Sequence, residues 1–404
     1  MMCTEVSLRY TRCYRRYLGA VIAMAVLAEP VAAQALQSRA NVALDRGAEA
    51  TSAVRLVPSP SCRSCRIGRR VVATVSDSLF DVDFSRVVVG RDAAGRFLIV
   101  GRGGVIGIFD STGRFLRPFG RSGSGPGEFR GPVAIAHGER DSVFVSDQTL
   151  ARITVLDPGL MKAVRTMSAP RHLDLLPLAG GRLLIAGYVA SSAAAGQPLH
   201  LLRSDGSVQR SFGVDSARVG RAPERTLSRS IMRLPDGDVL SASMDQYRLT
   251  RWGDDYRKQR VFERTVEWFP RIGSEERIDQ NFARSPIPAQ LVAVAAGPTN
   301  NTVLVSVVLG RKDFKPDPRL RGRTGEVAII PDKPMGLYIN EYMDTIVEIL
   351  DLKTGEVLAS RRFRGVYGTI SHTPYHWFLR ERSDGALLLE IARFELLRTV
   401  AATP

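Results

Sequence analysis

One pattern recurs along this chain: a short apolar run, a polar turn built from Gly, Asp, Asn or Pro, then a second and more apolar run. VVVGRDAAGRFLIVG, VAIAHGERDSVFVSD, LLPLAGGRLLIAG, IMRLPDGDVLSAS, VAVAAGPTNNTVLVSVV and FLRERSDGALLLEIA are six instances. Their second runs begin at Phe97, Val143, Leu183, Val239, Val303 and Leu387, at spacings of 46, 40, 56, 64 and 84 residues. A further hairpin follows in most units, clearest in VIGIFDSTGRFLRPFG, RITVLDPGLMKAVRTM and LHLLRSDGSVQRSFG, and continued in YRLTRWGDDYRKQRVFE and TIVEILDLKTGEVLASRRF. Short apolar runs bounded by turn residues are strands, and the Asp and Gly at their turns tolerate the positive φ that tight hairpins demand. Two hairpins make a four-stranded antiparallel sheet. Such a sheet cannot bury both faces alone, but six arranged radially can.

The expectation is an all-β chain folded as a six-bladed β-propeller over residues 69–404. The first two spacings fit a blade of about 40–45 residues and the later ones require insertions, at 270–290 and 311–341. A seventh blade is the alternative, because 310–342, notably GEVAIIPD, has room to conceal strands. The sixth unit is short of a fourth strand, while RRVVATVSDS (Arg69–Ser78) is a strand without a partner. Pairing the two closes the ring and removes an open edge. Helical periodicity is confined to SEERIDQNFAR, Ser274–Arg284.

Residues 1–35 read as an export signal. Arg9, Arg12, Arg15 and Arg16 precede an apolar run from Tyr17 to Ala28, and small residues at Ala33 and Ala35 suit cleavage. The run is too short to span a bilayer, which takes about 20 apolar residues; a retained anchor is the alternative. The protein is therefore expected outside the cytoplasm, in the periplasm or beyond. Residues 36–68 read as a linker that carries Cys62 and Cys65. Haem attachment would need His where Arg66 stands, and zinc would need further ligands, whereas Cys3 and Cys13 leave with the signal. A disulfide between Cys62 and Cys65 suits an oxidising compartment, with redox or metal roles as alternatives.

GSGPGEFRGPVAIA, Gly123–Ala136, has the look of a phosphate-binding loop. Such a loop must open a helix, and here two strands and a turn follow, with no Gly-Lys-Ser/Thr to close the motif. The stretch is better placed as the crossing from one blade to the next. Its residues carry a resemblance: Gly123, Gly125, Gly127, Phe129, Pro132, Val145, Asp147, Arg152, Ile153, Val155 and Asp157 match the pattern of an NHL repeat, with Ala151 where that family usually has Asn. The match is strong over about 40 residues, Phe119–Gly159, and loose elsewhere. The chain as a whole is similar to exported bacterial six-bladed propellers of the NHL and TolB-like kind. The resemblance implies structural roles for these residues, with Asp147 and Arg152 serving a turn and an ion pair inside the blade.

Catalytic signatures are missing: there is no G-x-S-x-G elbow, H-E-x-x-H or EF-hand loop. His372 and His376 are four apart, but Pro374 interrupts them. The sequence assigns no catalytic residue, metal or cofactor. The aromatic clusters are the candidate ligand rim: Trp252, Trp268, Tyr375, His376 and Trp377. Lysine plus arginine number 56 against 41 acids, for a net charge of +15, and only six of the 56 are lysine. No groove-reading helix accompanies this charge, so nucleic acid is not the expected partner; a plainly solvated surface is the first reading, and association with an anionic envelope surface is the alternative. The expected function is a monomeric binding scaffold for a protein, peptide or glycan. The alternative is a metal-dependent propeller hydrolase or lyase, lactonase-like or amidating-lyase-like.

Overall fold

The computed structural model describes residues 53–84, 87–187, 189, 196–213, 229–269, 288–313, 315 and 335–398. Six small antiparallel sheets form a ring, as a six-bladed β-propeller. Blade one runs from the axis outward as Val89–Arg91, Phe97–Val100, Ile106–Phe109 and Phe115–Phe119. Blade two is Pro132–His137, Val143–Asp147, Arg152–Leu156 and Ala163–Ser168; blade three is His172–Pro177, Leu183–Gly187, Leu199–Leu202 and Val208–Phe212. Blade four is Arg229–Arg233, Val239–Ser243, Arg248–Trp252 and Lys258–Glu263; blade five is Gln290–Ala296, Thr302–Gly310, Met343–Asp351 and Glu356–Arg364. Blade six is Tyr367–Thr369, Tyr375–Glu381, Leu387–Arg398 and, from the other end of the chain, Cys65–Ser76.

This last pairing closes the ring. Val75 faces Leu389, Val71 faces Ala392 and Cys65 faces Arg398, so the N-terminal strand is the outer strand of blade six. The sixth unit differs from expectation by one strand. FLRERSDGALLLEIA is its second and third strands, because the short Tyr367–Thr369 is the innermost one, and LLLEIARFELLR is one continuous strand rather than two. The closing strand also starts at Cys65, four residues before the expected boundary. The segment ahead of it does more than link: Val54–Arg55 adds a parallel strand to Phe262–Glu263 of blade four, and Val57–Pro58 adds one to Glu356–Val357 of blade five. A disulfide joins Cys62 to Cys65, with 5.1 Å between Cα atoms, where this strap meets blade six.

Between blades, alternate residues of each strand interdigitate as separate apolar clusters, for example Leu98, Ile106, Phe129, Ile135 and Val145 between blades one and two. A second bond type recurs. The outer strands of blades one to four each carry an arginine (Arg117, Arg165, Arg210, Arg260) opposite the residue just before a bulge. Arg117 donates to the carbonyls of Gly159 and Leu160 at 2.8 and 2.9 Å, Arg210 to that of Asp255 at 2.8 Å and Arg260 to that of Leu352 at 3.4 Å. Each of these bonds crosses to the next blade. A forked guanidinium reaches such carbonyls better than an ammonium does, which accounts for part of the arginine excess over lysine.

An eight-residue helix, Met335–Tyr342, has no counterpart among the sequence expectations. Its Asn340 accepts the Val366 N–H at 2.7 Å and donates to the Leu379 carbonyl at 2.9 Å, which fixes the entry to blade six. Ser274–Arg284, GEVAIIPD, the export signal with Ala33 and Ala35, and Cys3 and Cys13 all lie outside the described residues.

Candidate functional site: a cavity on the ring axis

The starts of the innermost strands enclose a cavity of about 210 Å³, lined by residues from all six blades. Val89, Ile135 and Val294 line it from blades one, two and five; Asp174, Ser230 and Thr369 add polar groups from blades three, four and six. Register places other strand ends on the same side. Arg229 opens the inner strand of blade four opposite Ser243, the end of the second strand, and Gly310 ends the second strand of blade five opposite Met343. The connections 213–228, 264–289 and 311–342 therefore all spring from the end of the ring that holds the cavity.

His372 spans the axis. It sits in the turn between the first two strands of blade six, at φ 60°, a left-handed conformation uncommon for a residue with a side chain. Its Nε2 bonds the Leu175 carbonyl of blade three, the opposite blade, and lies 3.9 Å from Asp174 Oδ1. A carbonyl only accepts, so Nε2 carries the proton. Asp174 is tied down in turn. It accepts the N–H groups of Leu175 and Ile231, both at 2.9 Å, and Ser230 Oγ at 3.4 Å. Burial pushes the Asp174 carboxyl above its ordinary range, partly offset by His372 and by these donors. Ser230 Oγ also accepts the Val294 N–H at 3.1 Å, so the chain of bonds runs from blade six through three and four to five.

Trp377 reaches this cavity from the second strand of blade six because its partner across the sheet is Gly368. A Cβ on Gly368 would stand 2.0 Å from the indole Cε2. The glycine is a window through the innermost strand, and the indole occupies it.

The rim expected from the sequence does not form. Trp252 is buried between blades three and four, with Nε1 donating to Ser241 Oγ at 2.8 Å and its ring against Phe212. His376 is fully buried beside Phe394 and Ser306, and burial pushes its imidazole down to about 4. Trp268 packs against Tyr247 and Phe269. Tyr375 lies against Phe97 and under the Arg91 guanidinium. Alternation along the strand splits the blade-six residues between two interblade cores: Tyr375 and Trp377 pack on the side of blade one, and His376 points the other way, toward blade five.

The glycine-rich crossing holds no vacant anion cradle. Glu128 fills it with its own carboxylate, accepting the Gly125 N–H and the Arg121 Nε, both at 2.7 Å, which holds that carboxyl below its ordinary range. Gly123 and Gly127 sit at φ 155° and 72°, as the turn requires, and Phe129 is fully buried. Asp147 and Arg152 are opposed in register, but they do not form the expected ion pair. Asp147 accepts the N–H groups of Arg130, Gly131 and Leu150, and Arg152 donates to the carbonyls of Ser124, Gly125 and Glu128. Each clamps the crossing from one side. Pro132 opens the inner strand of blade two, and Asp157 accepts the N–H groups of Met161 and Lys162 in its own turn. Among the described residues no three His, Cys, Asp or Glu side chains converge to hold a metal ion, and no helix is long and apolar enough to cross a membrane.

No protein-family model matches the chain, and no curated protein does. Among solved structures it is similar to a protein of Bacteroides fragilis described as exported, at 11% identity and a TM-score of 0.53, over 84% of this chain and 99% of that one. That likeness supports the propeller fold. It is also similar, at lower TM-scores, to virginiamycin B lyase from Staphylococcus aureus (10% identity, 77% of this chain and 80% of that one, TM-score 0.40). BamB from Moraxella catarrhalis is a further neighbour, at 15% identity over 81% of this chain and 98% of that one, with a TM-score of 0.37.

Proposed function

We propose that this is an exported propeller of the NHL and TolB-like kind that acts as a monomeric binding scaffold, recognising a protein, peptide or glycan at the end of the ring that holds the axial cavity. The observation that carries the reading is that the cavity and the three longest connections between described strands share that end, where propellers place binding loops. Loss of the four Arg and two Glu of residues 1–35 takes the net charge from +15 to +13, which still favours retention at an anionic envelope surface.

Peptide and glycan arrays probed with the purified protein test the reading. Selective retention of one ligand class is the expected result. No retention, together with stoichiometric bound metal and turnover of a lactone or ester, would replace the scaffold with the hydrolase or lyase. Export is checked separately, by finding a mature N-terminus next to Ala33 or Ala35 in an envelope fraction.

A further inference from the structure

We infer that the axial cavity is a subsite for one neutral, hydroxyl-rich ring, a single hexose or N-acetylhexosamine unit, with the Trp377 indole as its stacking platform. The inference rests on the scaffold reading above and narrows it to a ligand class.

Four observations converge. The first is the window at Gly368. A glycine in the middle of an innermost strand sacrifices stability, and here it admits an indole that would collide with any Cβ. Aromatic side chains with a polar handle suit sites that are apolar on one side and wet on the other. Second, the cavity wall is divided. Val89, Ile135 and Val294 offer an apolar surface, while Asp174, Thr369 and Ser371 offer oxygen groups. A sugar ring has the same division, with C–H faces and a hydroxyl edge. Third, Asp174 and Arg229 both line the cavity, so opposite charges face one volume. Hydroxyls donate to a carboxylate and accept from a guanidinium, so one hydroxylated ring can satisfy both groups. Fourth, the volume of about 210 Å³ falls below the roughly 300–1,000 Å³ of sites for drug-sized ligands, which limits occupancy to one small ring. The His372 bridge to blade three gives this cup a fixed floor.

The test uses saturation-transfer NMR and the intrinsic tryptophan fluorescence of the purified protein. The probes are glucose, galactose, mannose and N-acetylglucosamine, with ethylammonium, acetate and glycine as charged controls. The expected result is saturable binding of at least one neutral sugar, with none of the charged controls competing. Trp377→Ala should weaken that binding about tenfold or more, as should Gly368→Ala, which displaces the indole without removing it. Asp174→Asn keeps the shape and should weaken it by a smaller factor, so the inference stays testable if one of the other variants fails to fold. Absence of sugar binding up to tens of millimolar overturns the inference, as does preferential binding of a charged control. So does sugar binding indifferent to Trp377. If the arrays still retain a protein, peptide or glycan in those cases, the scaffold stands and only the axial subsite falls.

Discussion

His376 makes the fold acid-sensitive by an amount that can be worked out. Its ring is fully buried, 4.7 Å from the Phe394 ring centroid and 3.4 Å from Ser306 Oγ. Burial penalises the charged form and holds the imidazole at about 4, against 6.5 for the free side chain. As pH falls through 6.5 the unfolded chain takes up a proton that the folded chain refuses. Stability contributed by the neutral ring is therefore complete above about pH 6.5, declines as pH drops, and stops declining below about pH 4. The slope approaches 1.4 kcal/mol per pH unit, and about 3 kcal/mol accumulates across the interval. Burial lowers His172 and His200 in the same direction, so wild type should lose more than one histidine's share. Urea denaturation at a series of pH values, with His376→Asn beside wild type, isolates the single contribution. The variant should be less stable at neutral pH but should lose about 3 kcal/mol less between pH 6.5 and pH 4. Parallel stability curves for the two proteins would refute the reasoning, because they would mean that His376 is protonated as readily folded as unfolded.

Three further outcomes follow from particular contacts. Glu348 is fully buried between blades four and five, accepting Tyr247 Oη at 2.6 Å and Arg264 Nη2 at 3.0 Å; Glu348→Ala strands the arginine and should cost about 3–5 kcal/mol in urea denaturation, against about 1–2 kcal/mol for Tyr247→Phe. Arg210→Ala should cost about 1 kcal/mol through its bond to the Asp255 carbonyl, and Arg210→Lys should not restore it, because the fork geometry is lost. Replacing Cys62 and Cys65 together by serine removes a four-residue loop constraint worth about 2 kcal/mol in the chain-entropy account, and mass spectrometry with and without reductant reports whether the bond is present in wild type.

The architecture was legible because it is written locally. Hairpin turns and apolar runs are short-range signals, and Phe97, Val143, Leu183 and Val239 do open the second strands of blades one to four. The closing strand was legible by elimination, since one strand at the start lacked a partner and one blade at the end lacked a strand. Blade six was misframed by one strand because its innermost member, Tyr367–Thr369, is three residues long and interrupted by Gly368. That glycine weakens the strand signal for the same reason that it matters, since it makes room for Trp377. The strap 54–58 was hidden because a two-residue parallel pairing leaves no periodicity to read.

The candidate site was less legible, because it depends on contacts distant in sequence. His372 meets Leu175 across 197 positions, and nothing near either residue announces the other. Aromatic clustering pointed to the right strand of blade six and included Trp377, but it did not separate that residue from Tyr375 and His376, which do not line the cavity. Strand alternation could have sorted the cluster: with His376 on one face, Trp377 lies on the other, opposite Gly368, where the missing side chain lets the indole lean toward the axis. A ring of inner strands brings side chains from six sequence-distant segments to one point. In such a fold the residue to look for is the small one on an innermost strand, since it marks where a larger side chain from the second strand can reach the centre.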